Sequence, residues 1–130
     1  MRRNSRGGGV RAFLIGALAL LAGFVLPAGA RSAELIMIEE PGCPWCRAWD
    51  EQIGIAYPKT EEGRRAPLRR VDLSEPWPED LKDVRRERVT PTFILVDAGK
   101  EVARLRGYPG ENFFWPLLGE MLDKLEPAPE

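Results

Sequence analysis

The sequence predicts an α/β fold: a central, mixed four-stranded sheet flanked by helices. Three observations predict it. Apolar runs at residues 35–38 and 93–96 read as strands, the first of them buried on both faces. Amphipathic helical spacing follows the first run and returns at residues 114–125. Between the first run and its helix stands Cys43-Pro44-Trp45-Cys46, which holds the only two cysteines of the 130 residues. A Cys-x-x-Cys pair at a strand-to-helix junction suits reversible dithiol–disulfide chemistry. The helix start offers free N–H groups and the positive end of a dipole to one sulfur, which lowers a thiol pKa.

Residues 1–30 read as an export signal rather than as fold. Arg2, Arg3, Arg6 and Arg11 form a positive region without an acid, residues 12–26 are apolar, and Pro27-Ala28-Gly29-Ala30 offers a small-x-small cleavage site. The rival is an uncleaved anchor, but this apolar stretch falls short of the roughly 20 residues of a spanning helix. Cleavage after Ala30 is expected to leave residues 31–125 as one domain without a membrane span and 126–130 as a disordered tail. That loss removes four arginines and no acid, leaving 15 basic against 20 acidic side chains, a net charge of −5. Nucleic acid is thereby excluded as a partner, since backbone binding needs a basic excess. The clusters Arg64-Arg65, Arg69-Arg70 and Arg85-Arg86 alternate with acids and read as solvated faces. The sequence has no histidine, so imidazole acid–base catalysis is excluded. Two cysteines alone cannot complete a tetrahedral zinc site, and no metal or cofactor is expected. As a static staple the pair would close a tiny loop and stabilise little.

The elements follow in order. Residues 34–39 (ELIMIE) are the first strand. Cys46, Trp49, Ile53 and Ala56 then share one helical stripe, with Arg47, Asp50, Glu51 and Gln52 on the other side. Cys46 tops the buried stripe, while Cys43 precedes the first turn and is expected to look outward. Pro44 suits the first helical position, where no N–H partner is missed. Pro58 ends the helix, residues 59–66 read as a polar loop, and 68–73 (LRRVDL) as a second strand, parallel to the first. Residues 79–88 form a short helix, acidic at its start and basic at its end. Residues 93–96 and 101–105 pair as an antiparallel hairpin about Ala98-Gly99. Phe114, Leu117, Leu118, Met121, Leu122 and Leu125 line a last helix, whose start near Asn112 is set by Pro116 in the first turn.

This β-α-β-(α)-β-β-α order, with Cys-x-x-Cys after the first strand, resembles the thioredoxin superfamily over residues 34–125. Thr90-Pro91-Thr92-Phe93 is similar to the family's cis-proline loop, which lies opposite the cysteines. The resemblance implies a cis Pro91 and makes Thr90 and Pro91 substrate contacts. Tyr57-Pro58-Lys59-Thr60, residues 62–73 and residues 107–115 (GYPGENFFW) further resemble the small periplasmic thioredoxins of bacterial sulfur-oxidation clusters, the SoxS-type proteins. That likeness implies a periplasmic location and a role in keeping a sulfur-carrier protein reduced.

The sequence also departs from the family. Gly42 precedes the first cysteine where thioredoxins place Trp, and Pro44-Trp45 replaces Gly-Pro between the two. Met37 occupies the place of a buried acid, leaving water, Glu39 or Glu40 to handle the proton of Cys46. Arg70 stands in the place of a partner lysine.

Cys43 is expected to attack a partner's disulfide or persulfide and Cys46 to resolve the mixed disulfide, in a monomer re-reduced by an inner-membrane electron donor. Trp45 is read as an exposed lid and Trp49 as core. Trp45, Thr90, Pro91 and Tyr108 form the expected docking face, with Pro44 beside them. The alternatives are a disulfide oxidase or isomerase, since Cys-Pro-x-Cys and Thr before the proline occur in such relatives, and a non-catalytic adaptor or Cu(I) carrier.

Overall fold

The structure, a computed structural model, describes residues 33–125 and Pro127. The expected export signal, and the expected tail apart from Pro127, lie outside the described residues. Strand β1 (Glu34–Glu39) leads to helix α1 (Pro44–Trp49), which continues as a π-helical turn over Asp50–Gly54. A 3-10 turn at Tyr57–Lys59 precedes α2 (Glu61–Arg65) and β2 (Leu68–Asp72). A connection containing one 3-10 turn, Glu79–Leu81, reaches the hairpin β3 (Thr92–Asp97) and β4 (Lys100–Arg106), and α3 (Glu111–Leu122) follows.

The strand order is β2-β1-β3-β4. β1 runs parallel to β2 and antiparallel to β3, and β3 is antiparallel to β4. This is the mixed sheet of the thioredoxin fold. Side chains alternate across it. On one face Leu35, Met37, Phe93 and Leu95 pack with Trp49, Ile53, Phe114, Leu118 and Leu122 from the helices. On the other, Ile36, Ile38, Ile94, Val96 and Val71 pack with Leu81 and Val84 from the long connection. Both faces are covered, which is why β1 and β3 read as unbroken apolar runs rather than as alternating ones.

Four local expectations change. Ala56 is exposed and Tyr57 is buried in its place, because the π turn rotates the residues that follow it. The expected loop at 59–66 holds α2: the Thr60 hydroxyl accepts the Gly63 N–H at 3.0 Å, with Glu61 and Glu62 in the first turn and Arg64 and Arg65 in the last. Residues 79–88 form only the 3-10 turn, from whose end Leu81, followed by Val84, enters the second core. Pro116 lies in the second turn of α3, since the helix already begins at Glu111. The hairpin turns at Ala98-Gly99 as expected, with Ala98 in the left-handed region at φ 50°.

Candidate active site

The cysteines are placed by the end of β1 and the start of α1. Gly42 sits at φ 81°, a conformation that side chains resist, and turns the chain from strand to helix. The Cys43 N–H donates to the Glu40 carbonyl at 3.3 Å. Cys43 caps α1, and its Sγ accepts the Cys46 N–H at 3.1 Å, a donor already in place for a thiolate. Pro44 occupies the start of the helix, as its missing N–H favours. The two cysteines form a disulfide with their Cα atoms 5.3 Å apart.

Cys43 is 8% and Cys46 5% exposed. The expected contrast between an outward and a buried sulfur is therefore small in the oxidised form. Trp45, by contrast, is 62% exposed beside the disulfide, and Trp49 is wholly buried against Phe93 and Phe114.

A cleft of about 360 Å³ opens at the pair, lined by both cysteines with Glu39, Glu40, Arg47, Asp50 and Asp72. Arg70 of β2 holds two of these acids, Glu39 Oε2 at 2.6 Å and Asp50 Oδ1 at 2.5 Å, and its guanidinium lies 5.8 Å from the centre of the Trp49 ring. Burial opposes the Arg70 charge, but the bonds to Asp50 and Glu39 outweigh it and raise its pKa. Arg70 is thus part of the site and not merely a solvated face. The Asp72 carboxyl is held below its ordinary pKa by the Ser74 hydroxyl and N–H.

Glu40 accepts the Thr90 hydroxyl at 2.7 Å. The Thr90–Pro91 peptide is cis, and Pro91 is buried. Pairing of Ile38 with Thr92 sets this loop beside the end of β1, and the Gly107 N–H donates to the Pro91 carbonyl at 2.7 Å. Of the expected contact residues, Pro44 and Trp45 are exposed next to the sulfurs, and Thr90 is joined to them through Glu40. Tyr108 differs: it is only 8% exposed, and its hydroxyl donates to Gln52 Oε1 at 2.7 Å. It braces the π turn more than it offers an open surface.

Asp50, which the helical stripe puts on the far side from Cys46, shares the cleft with it. The signal was the four-residue spacing, which stacks two side chains on one face. Among the described residues no cluster of histidine, cysteine or acidic side chains could hold a metal ion, and no helix is long and apolar enough to cross a membrane.

No protein-family model matches the chain, and no curated protein sequence matches it. Solved structures do. The periplasmic thioredoxin SoxS from Paracoccus pantotrophus, in its reduced form, is 45% identical, with a TM-score of 0.69 over 72% of this chain and 99% of that one. The thioredoxin of Malassezia sympodialis is 18% identical, with a TM-score of 0.52 over 73% of this chain and 79% of that one, a likeness of fold alone.

Proposed function

This chain belongs to the thioredoxin superfamily, within the SoxS-type thioredoxins, and we propose that it is a periplasmic reductase for the sulfur carrier of a sulfur-oxidation system. The chemistry is thiol–disulfide exchange at a Cys-x-x-Cys pair. The observation that carries the reading is the Cys43–Cys46 disulfide lining the cleft, in a chain 45% identical to SoxS over nearly all of that protein.

In the reduced protein the Cys43 thiolate, supported by the Cys46 N–H, attacks a sulfur of the partner's disulfide. One partner sulfur leaves with the electron pair, and a Cys43–partner disulfide forms. Cys46 attacks Cys43, the second partner sulfur leaves, and the Cys43–Cys46 disulfide carries away the two-electron oxidation. With a partner persulfide, attack on the outer sulfur leaves a Cys43 persulfide, and Cys46 then releases sulfide. Thr90 and Pro91 guide the partner's backbone, and Trp45 gives it an apolar footing. An inner-membrane donor returns the two electrons, because the periplasm holds no reducing buffer.

The test is the reduction potential of the pair, equilibrated against dithiothreitol or glutathione. A value near the roughly −270 mV of thioredoxin supports the reductase. A value towards about −120 mV overturns it and makes the protein a disulfide donor.

A further inference from the structure

Resolution of the mixed disulfide requires Cys46 to lose a proton, yet Cys46 is 95% covered and no imidazole exists to take it. The charged groups that share its cleft are Glu39 from the end of β1, Glu40 from the turn, Arg47 and Asp50 from the helix, and Asp72 from β2. They are not equivalent. Each acid has a partner, Asp72 in the hydroxyl and N–H of Ser74, Glu40 in Thr90, and Glu39 and Asp50 in Arg70, so placement relative to Cys46 decides among them. Arg47 is a cation and cannot accept. Asp50 stands one helical turn beyond Cys46, its N–H bonded to the Cys46 carbonyl, so the two side chains stack on one face. Arg70, reaching over from β2, fixes Asp50 through Oδ1 and braces itself on Glu39.

We propose that Asp50 is the proton acceptor for Cys46, with Arg70 as the residue that positions it. The inference rests on the oxidoreductase reading and deepens it. In the resolving step the proton passes from Cys46 Sγ to the Asp50 carboxylate, directly or through one water in the cleft. The freed electron pair makes the Cys46–Cys43 bond, the Cys43–partner bond breaks, and the partner sulfur departs as a thiolate. The dithiol is oxidised by two electrons and the partner is reduced by the same two. In the opposite direction Asp50 returns the proton to Cys46 as it leaves, so the assignment holds for a reductase and an oxidase alike.

The two steps separate when the reduced protein meets dithiobis(nitrobenzoate). Cys43 releases the first thionitrobenzoate by attack, and Cys46 releases the second by resolution. Asp50→Asn is expected to leave the first release within about twofold and to slow the second about a hundredfold near neutral pH. The deficit should close at alkaline pH, where Cys46 ionises unaided, and Asp50→Glu should recover most of the rate. An unchanged second release overturns the proposal. So does equal slowing of both releases, which marks a structural role, or a loss that appears in Glu39→Gln and not in Asp50→Asn. If the unsubstituted protein releases no thionitrobenzoate, the oxidoreductase reading itself fails and this proposal with it.

Discussion

Thr90 donates its hydroxyl hydrogen to Glu40 across 2.7 Å, tying the cis-proline loop to the turn that presents Cys43. Removing that bond in Thr90→Val leaves the Glu40 charge without its partner and loosens the loop against the turn. A hydrogen bond to a charged group contributes about 1.5–3 kcal/mol, but this one is open to solvent and nearer the low end. The expected effect is a rise in KM for a protein disulfide of about fivefold, with kcat within about twofold. Steady-state reduction of insulin checks it.

The roles of the cysteines predict an asymmetric outcome. Cys43→Ser should abolish turnover outright, while Cys46→Ser should still attack and then accumulate as a mixed disulfide with its partner. Mass spectrometry of the non-reduced protein reads both. A mere adaptor would retain its partner without covalent capture in either variant.

Tyr57 and Gly63 lock the segment between α1 and β2. The buried Tyr57 hydroxyl donates to the Ala66 carbonyl at 2.7 Å. Burial, with the nearby Glu62 charge, pushes its pKa well above the usual phenol range, so it remains a neutral donor. Tyr57→Phe orphans that carbonyl and should cost about 1–2 kcal/mol. At Gly63 a Cβ would overlap the Tyr57 carbonyl, and the backbone there has no flexible end to yield. Gly63→Ala should therefore cost more, about 2–3 kcal/mol. Urea unfolding of the two variants measures both.

Acid should weaken the protein through Glu87. Its carboxylate is brought down from 4.5 to about 2, first by the Arg88 N–H, against an opposing burial, and then by Arg104 and Arg106. A group depressed in the folded state stabilises above its unfolded pKa and loses that contribution as pH falls through the folded one. Stability should thus decline between about pH 5 and pH 2. Glu87→Gln should flatten that part of the profile and lower stability at neutral pH. Thermal melts across the range test it.

The sheet was legible because its strands are long enough to speak for themselves. Residues 34–39 and 93–96 hold apolar side chains of both parities, which only a sheet covered on both faces explains. The Cys-x-x-Cys turn was equally plain, since Gly42, Cys43 and Pro44 each carry a local signal. What lay hidden depended on tertiary contact. The π turn at Asp50–Gly54 has no marker in composition, and it moved the inward position from Ala56 to Tyr57. α2 did have one, in Thr60 followed by Glu61-Glu62 and Arg64-Arg65, but five residues form no apolar stripe. Arg70 read as surface because a sequence cannot show that β2 would carry it to Asp50 and Glu39.

Cys43 and Cys46 belong to the same apolar cluster as Trp49, Phe93 and Phe114. The redox couple is therefore also a folding couple. By a closed thermodynamic cycle, the difference in unfolding free energy between the disulfide and dithiol forms equals the difference in reduction potential between the folded and unfolded pair, with 30 mV corresponding to about 1.4 kcal/mol. Unfolding free energies in the two redox states, added to the potential of the unfolded pair, would then locate the protein on the scale of oxidants and reductants without any partner being present.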